Sequence, residues 1–385
     1  MRSATGYLSW RRAASSGRAR ASYICRTARR RAVTSALATA EVFFDEDLLS
    51  TTLGRPARAV GIRHKAWHST LATLEFPDGG SGWALAVAPV ELVKVDNTLR
   101  RARRSGYRLP VVETEHATIV YGRAESDTRL LGAAREAAPF LQDATLVRYN
   151  PARRALYRAR WGEHIVGVRL HAQEGEAAAL ADRALQLRAG RVSTIAAMAA
   201  DEHVSVWPWQ PGGDLLAYSG DRTGWARRAG RELAAVHRVG ATTVLQPGRQ
   251  LAQLATDLGQ LDPYLGRRFA ELLARRELPQ DDLVSCHGDF SADQILVGRG
   301  VKLIDFDRFT MAPRGLDIGS YHAVEILHGQ EPTTEHLVGG YGQPVAWQQW
   351  VFVGLANRVL DPFREANPRW RELISDRLNQ LGEWL

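Results

Sequence analysis

The alternation of apolar and polar residues divides the chain into a strand-rich part and a helical part. Short alternating runs separated by turn-forming residues fill the sequence from residue 41 to about residue 215. After Asp221 the apolar residues recur at helical spacing, most clearly over 225–238 and over 250–276, where Pro263 interrupts the pattern. Strands followed by helices indicate an α+β protein.

The strand-rich part itself contains two groups of elements. The first group, over 41–125, combines strand patterns with a basic helix over 97–106 and carries no catalytic motif. The second group has three strands and a helix, predicted over 144–149, 155–161, 164–170 and 174–188. We therefore divide the chain into a basic extension (1–40), an N-terminal α+β module (41–125), a strand-rich lobe (126–215) and a helical lobe (216–385).

The net charge of +8 arises from the amino-terminal residues. Residues 1–40 contain nine arginines and no acid, so the remaining residues carry 8 − 9 = −1. A nearly neutral body does not predict a nucleic-acid-binding surface. We interpret the Arg- and Ser-rich segment as a disordered extension or a wrongly assigned start; resemblance to a transit peptide and nucleic-acid binding through this segment are the alternatives.

Several classes of protein are excluded by what the sequence lacks. It has no run of about 20 apolar residues, which a membrane helix needs. Cys25 and Cys286 are the only cysteines, so no disulfide framework or metal cluster is predicted, and a cytoplasmic location fits best. Cys286 is interpreted as a packing residue. The sequence also lacks a P-loop and a nucleophile elbow.

Side chains suited to metal binding and catalysis are concentrated in residues 285–320. Two apolar runs, 295–297 and 301–304, flank a Gly-Arg-Gly turn and predict an antiparallel hairpin. The hairpin brings Gln294 and Asp305 to the same end, and Asp289 lies in the loop that leads there. Carboxylate and amide oxygens suit a hard cation such as magnesium that carries nucleotide phosphates, and a nearby carboxylate can accept the proton of an attacking hydroxyl. Asp307 is either a second metal contact or a cap of the hairpin.

These residues carry a family resemblance. His287-Gly288-Asp289, a polar residue at 294 and an apolar hairpin that ends in Asp305 resemble the aminoglycoside phosphotransferase and choline kinase-like family. The resemblance covers about residues 140–330. It implies a bilobal protein-kinase-like fold, to which the N-terminal module would be an addition. It also implies transfer of the γ-phosphate of ATP to a hydroxyl of a small molecule.

The resemblance assigns roles to individual residues. It implies that Asp289 is the catalytic base and that Asp305 is the main magnesium ligand. Gln294 stands where the family usually has a metal-binding asparagine, and in this it resembles the maltokinase branch. His287 resembles the residue that supports the catalytic loop, and Asp317 resembles the acid that holds this loop in place.

The resemblance implies a phosphate-binding lysine at the end of the strand over 164–170. In this sequence the residue at that position is Arg169. Arginine offers a planar fork instead of a point charge, so the two are not equivalent. Arg169 is either a nucleotide contact or a strand residue with a solvated head; Lys94 is a less favoured substitute. The acids that could pair with it are Glu174, Glu176 and Asp182.

Residues 206–215 resemble the linker between the lobes, whose backbone would pair with adenine. Val206, Trp207 and Trp209 are therefore predicted to bind the nucleotide. The sequence thus predicts an ATP- and magnesium-dependent phosphotransferase that acts on a hydroxyl of a small polar metabolite such as an aminoglycoside or a sugar. The alternative is a kinase-like protein that binds nucleotide or ligand with little or no transfer. The acceptor and the oligomeric state do not follow from the sequence.

Overall fold

A computed structural model of the chain describes residues 35–385, and most of the predicted extension over 1–40 lies outside the described residues. The chain forms two compact units, one ending at Thr128 and one formed by Arg129–Leu385. Within the described residues no helix is both long and apolar enough to cross a membrane.

The first unit is built on a five-stranded antiparallel sheet in the order β1-β2-β3-β5-β4. Its strands and helices are β1 (Arg58–Lys65), β2 (Ser69–Glu75), β3 (Ser81–Val87), β4 (Val111–Glu113), β5 (Thr118–Arg123), α1 (Glu46–Leu53) and α2 (Val93–Arg104). Residues 36–40 already belong to this unit, because Leu37 and Ala40 are buried and the Thr39 hydroxyl lies 2.9 Å from that of Thr70. Lys94 lies in α2 and pairs with Glu91 at 3.2 Å.

The second unit begins with the strand-rich lobe. Its antiparallel sheet has the order β6-β7-β8-β10-β9 and is accompanied by two helices. These elements are β6 (Thr145–Asn150), β7 (Arg154–Trp161), β8 (His164–His171), β9 (Ala199–Ala200), β10 (Val204–Pro208), α3 (Leu131–Glu136) and α4 (Glu176–Ala189). The three strands and the helix predicted over 144–188 are confirmed to within a few residues.

The helical lobe completes the second unit. Its helices are α5 (Thr223–Val236), α6 (Pro247–Leu261), α7 (Pro263–Ala274), α8 (Gly315–Leu327), α9 (Thr334–Tyr341), α10 (Gln348–Asn357), α11 (Asp361–Arg364) and α12 (Trp370–Gly382). Short strands lie between α7 and α8, namely β12 (Leu283–Cys286), β13 (Ile295–Val297), β14 (Val301–Leu303) and β15 (Thr310–Pro313), and β11 (Gly213–Asp214) pairs with β13. The break at Pro263 is confirmed, because the Asp262 carboxylate caps α7 by accepting from the Tyr264 and Leu265 N–H groups. Trp350 and Phe352 of α10 are fully buried in this lobe.

Two glycines allow α5 and α9 to approach closely. A Cβ at Gly230 would collide with the Leu337 carbonyl oxygen, and one at Gly340 would collide with the Arg227 carbonyl oxygen. Backbone atoms cannot move aside as the end of a side chain can, so the helices would have to separate.

We therefore expect Gly230→Ala to lower the free energy of unfolding by about 2 kcal/mol. Gly224→Ala is the matched control, because it lies in the same helix with no atom within 4 Å of its added Cβ. There the better helix propensity of alanine leaves stability unchanged or slightly raised. Urea denaturation of both variants measures the difference, and equal midpoints would contradict close helix packing at Gly230.

Candidate active site

The loop that carries Asp289 follows β12 directly and is held by Asp317. The N–H groups of His287 and Gly288 donate to the two oxygens of the Asp317 carboxylate, at 2.7 and 3.0 Å. Gly288 has a φ of 83°, and a Cβ there would collide with the Arg308 carbonyl oxygen, so this position needs glycine. The loop conformation is thus specified by one buried carboxylate and one glycine.

Asp317 is a buried anion in the first turn of α8. His237 Nε2 lies 3.3 Å from its Oδ2, and His237 Nδ1 lies 2.9 Å from the Tyr341 hydroxyl. Burial raises the pKa of Asp317, but the hydrogen bond and charge of His237 and the backbone hydrogen bond of Gly288 outweigh it and hold this pKa below its usual value. Asp317 is therefore ionised near neutral pH.

His287 joins the loop to the hairpin. Its ring is fully buried, and Nε2 lies 2.8 Å from the carbonyl oxygen of Ile304, the residue before Asp305. Because a carbonyl oxygen only accepts hydrogen bonds, Nε2 carries the proton. The ring also lies against Phe306, with centroids 4.5 Å apart. His287 thus sets the spacing between the loop of Asp289 and the end of the hairpin.

The hairpin predicted from the two apolar runs is formed by β13 and β14, with Ile295 opposite Leu303. The Ile304 N–H donates to the Gln294 carbonyl oxygen at 3.1 Å, so Gln294 and Asp305 do lie at the same end. The Gln294 side chain donates through Nε2 to Asp293 at 3.0 Å. Its amide oxygen is therefore the atom that it can offer to a metal.

Asp305 follows β14 in the left-handed conformation, with a φ of 61° and a ψ of 51°. This strained backbone turns the chain so that Asp305 and Asp307 face the strand-rich lobe. Arg169 Nη2 lies 3.5 Å from Asp305 Oδ1 and 3.4 Å from Asp307 Oδ2. Burial raises the pKa of Asp305, but the charges of Arg169 and Arg154 outweigh it, so the pKa lies below its usual value.

Arg154 is a member of this charge cluster that sequence reasoning missed. Its guanidinium pairs with Asp307 and lies 3.8 Å from Asp305 Oδ1. A signal for it did exist: Arg154 lies opposite His171 in the β7–β8 pairing, two residues from Arg169 and hence on the same face of the sheet. Two arginines, Arg154 and Arg169, therefore face two aspartates at the place where the resemblance implied a lysine.

None of the acids considered as partners of Arg169 contacts it through a described hydrogen bond or ion pair. Glu176 at the start of α4 lies instead 3.6 Å from His171 Nδ1. Burial and the charge of Arg169 lower the pKa of His171 to about 3, so this histidine is neutral and the pair is not ionic. From the next turns of α4, Arg183 donates to the Phe306 carbonyl oxygen at 2.7 Å.

Asp289 is about one-third exposed, and each of its oxygens faces an arginine. Arg308 Nη1 lies 3.4 Å from Oδ2, and Arg358 Nη2 donates to Oδ1 at 3.2 Å. Arg358 was missed as well, and no local signal identifies it, because it is 69 positions from Asp289 in the sequence.

The residues predicted to bind adenine belong to the sheet of the strand-rich lobe. Val206 lies within β10, pairs with Val168, and accepts from the Met198 N–H at 2.7 Å. The Trp209 N–H donates to Ile165 at 3.1 Å, and Trp207 Nε1 donates to the Ser205 hydroxyl at 2.8 Å. The connection between the lobes is therefore limited to 209–212, and the Val206 carbonyl and the Trp209 N–H already have partners.

Cys286 is fully buried at the end of β12. Burial, together with the nearby charge of Asp317, raises the pKa of its thiol. The sulfur is 3.6 Å from the carbonyl oxygens of Ala312 and Pro313. Burial and a raised thiol pKa are what a packing residue would show, and this role of Cys286 stays a prediction.

A strand-rich lobe, a helical lobe and acidic residues at the end of a hairpin define a protein-kinase-like class of fold. The family model described as the phosphotransferase enzyme family matches residues 122–350, more than half of the chain. The chain belongs to this family, and the predictions of the family, of the bilobal α+β fold and of a phosphotransferase with an alcohol acceptor are confirmed. The matched region is wider than the 140–330 predicted.

The solved structures to which the chain is similar include two phosphotransferases and a choline kinase. A spectinomycin phosphotransferase bound to ADP and spectinomycin is 12% identical, with a TM-score of 0.49 over 66% of this chain and 96% of its own. A choline kinase from Cryptosporidium parvum Iowa II is 10% identical, with a TM-score of 0.49 over 66% of this chain and 94% of its own. An aminoglycoside-3′-phosphotransferase of type VIII is 22% identical, with a TM-score of 0.46 over 60% of this chain and 98% of its own. No curated protein matches the chain significantly.

Proposed function

We propose that the protein transfers the γ-phosphate of ATP to a hydroxyl of a small polar metabolite with the help of magnesium. One observation carries the proposal. His287 and Asp317 hold the loop of Asp289 beside the hairpin end where Gln294 and Asp305 meet. A proton acceptor next to a set of oxygen ligands is what phosphoryl transfer to an alcohol requires.

The donor atoms fit magnesium. Asp305 and Asp307 supply carboxylate oxygens and Gln294 supplies an amide oxygen, which are the hard ligands that this ion prefers. Bound there with nucleotide, magnesium would neutralise charge on the β- and γ-phosphates. Arg169 and Arg154 would exchange their carboxylate partners for phosphate oxygens, for which the guanidinium fork is well suited.

Asp289 orients the acceptor hydroxyl and takes its proton during the attack on phosphorus. The carboxylate is partly exposed, so an acceptor can reach it from solvent. His287 and Asp317 act by positioning, since they hold the backbone on either side of Asp289 and touch no reacting atom. Such positioning matters because small displacements of a catalytic group cost much of the rate.

A second candidate is a kinase-like protein that binds nucleotide without efficient transfer. It is favoured by the ion pairs of Arg154 and Arg169, which neutralise Asp305 and Asp307 and compete with a metal for them. The presence of Asp289 in a dedicated loop favours the enzyme, because a binding protein needs no proton acceptor.

The proposal is tested with γ-labelled ATP, purified full-length protein and a panel of sugars, aminoglycosides and amino alcohols. We expect label transfer that requires magnesium and stops when EDTA is added. Tight ATP binding without transfer to any acceptor, and without hydrolysis, would favour the second candidate.

Arg169→Ala tests the phosphate contact. We expect the KM for ATP to rise about tenfold or more, because a hydrogen bond to a charged group contributes about 1.5–3 kcal/mol. Arg160→Ala, an exposed arginine on β7, is the control and leaves this KM unchanged. An unchanged KM in Arg169→Ala would mean that Arg169 serves only to neutralise Asp305 and Asp307.

A further inference from the structure

The surroundings of Asp289 contain information about the acceptor. Oδ1 accepts from Arg358 Nη2 at 3.2 Å and Oδ2 lies 3.4 Å from Arg308 Nη1. The two arginines differ in environment, since the side chain of Arg308 is 63% exposed and that of Arg358 is 25% exposed. Arg358 is therefore the arginine that is held within the helical lobe.

Apart from Asp289, Arg358 is only weakly neutralised by its surroundings. It follows α10, and Arg377 of α12 donates a hydrogen bond to its backbone carbonyl oxygen. The second acid within reach of Arg358 is Asp361, whose Oδ2 lies 4.0 Å from Nη1. Asp361 also pairs with Arg364 at 3.2 Å and with Arg377 at 3.7 Å, so one carboxylate is shared by three guanidinium groups.

The proposed reaction brings the acceptor hydroxyl to Asp289, beside this pair. A hydroxyl that binds Oδ1 competes with Arg358 for that oxygen. The partly buried guanidinium then keeps only the more distant Asp361 at 4.0 Å, which is unfavourable unless another anion replaces the lost contact. A cationic acceptor would be repelled by the Arg358 guanidinium. A neutral acceptor would offer this guanidinium only dipoles in place of the lost anion.

We propose that the acceptor is an anionic alcohol, which presents a carboxylate or phosphate ester to Arg358 and its hydroxyl to Asp289. This inference rests on the phosphotransferase function proposed above. In the reaction the acceptor oxygen forms a bond to the γ-phosphorus, the bond from that phosphorus to the β,γ-bridging oxygen breaks, and ADP leaves. The acceptor proton passes to Asp289. Cationic aminoglycosides and amino alcohols are then poor substrates.

Four pyranoses of similar size test the charge of the acceptor: glucose, glucosamine, glucuronate and glucose 6-phosphate. With magnesium and ATP, we expect kcat/KM for at least one anionic sugar to exceed that for glucose about tenfold or more, and glucosamine to be the poorest. Preference for glucuronate identifies a carboxylate, and preference for glucose 6-phosphate identifies a phosphate ester. Equal values for all four sugars, or no transfer to either anionic sugar, would overturn the inference.

Variants of Arg358 separate recognition of the acceptor from support of the fold. Arg358→Ala is expected to raise the KM for the preferred anionic sugar about tenfold or more and to remove the preference over glucose, with the KM for ATP unchanged. Arg358→Lys retains part of the preference, because the charge remains while the fork is lost. Arg369→Ala, which removes an exposed arginine paired with Glu372, is the matched control.

Transfer to glucose and slow hydrolysis of ATP by water distinguish the two levels of failure. In Arg358→Ala the fall in kcat/KM is expected to be larger for the anionic sugars than for glucose, because glucose offers no anion to this guanidinium. An equal fall for glucose would mean that Arg358 only positions Asp289, which would overturn the inference. Absence of ATP binding and of hydrolysis in the unaltered protein would instead refute the proposed function itself.

Discussion

Asp289→Asn is expected to lower kcat for phosphate transfer by about 10³-fold while the protein stays folded and still binds ATP. Asparagine has nearly the same shape but cannot take the proton of the acceptor, and general-base catalysis contributes about 10²–10⁴-fold. The carboxylate is partly exposed and its partners are the side chains of Arg308 and Arg358, so its loss does not open the core. The measurement is steady-state transfer of label from ATP, together with ATP binding by titration calorimetry.

Asp282→Asn is the control for this change. Asp282 belongs to the same lobe, its side chain is 83% exposed, and it pairs with Arg314 at the surface. We expect its kcat to equal that of the unaltered protein. If Asp289→Asn kept most of its activity, Asp289 would not be the proton acceptor, and its arginine contacts would be purely structural.

Asp317→Ala is expected to destabilise the second unit by about 3–5 kcal/mol, because it breaks a buried network of charge and hydrogen bonds. The N–H groups of His287 and Gly288 and the Nε2 atom of His237 all lose their partner. For a unit of this size the loss lowers Tm by roughly 10 °C. Activity falls as well, because the loop of Asp289 is no longer held.

Differential scanning calorimetry and urea denaturation measure this effect, with Asp376→Ala as the control. Asp376 is an exposed aspartate in α12, so its removal leaves Tm nearly unchanged. Asp317→Asn should lose less stability than Asp317→Ala, since the amide oxygen still accepts one hydrogen bond. Equal Tm values for Asp317→Ala and the unaltered protein would contradict the anchoring role.

The same network predicts a dependence of stability on pH. The pKa of Asp317 in the folded protein lies below the ordinary value of 3.8. Its stabilising contribution is therefore complete above that value and is lost as the pH falls through the lower, folded-state pKa. Asp317→Ala should accordingly lose less stability than the unaltered protein over this acid range.

Much of the site could be predicted because its parts are close together in the sequence. The hairpin depends on two apolar runs and a glycine turn, and its pairing places Gln294 beside Asp305 whatever surrounds it. Five positions separate Asp289 from Gln294, so the short loop keeps Asp289 close to the end of the hairpin. Asp317 was identified through the family resemblance, and the structure gives the physical reason for its role.

The adenine contacts illustrate a limit of the same reasoning. The apolar and turn-rich character of 206–215 indicated a connection between lobes, but apolar character does not distinguish a buried strand from a linker. The pairing of Val206 with Val168 extends the sheet through Pro208, and only the positions of neighbouring strands decide that. Whether these residues bind nucleotide stays a prediction.

The sequence alone determined the two motifs, the hairpin that joins them and the family to which the chain belongs, because these depend on spacing within about thirty residues. The tertiary structure alone decided which charges face the motifs. Arg154 reaches Asp307 across 153 positions, and Arg358 reaches Asp289 across 69. Such pairings depend on how a strand and a helix pack beside the loop, and no local pattern of residues specifies that packing. The predicted charge of the acceptor therefore comes from the fold.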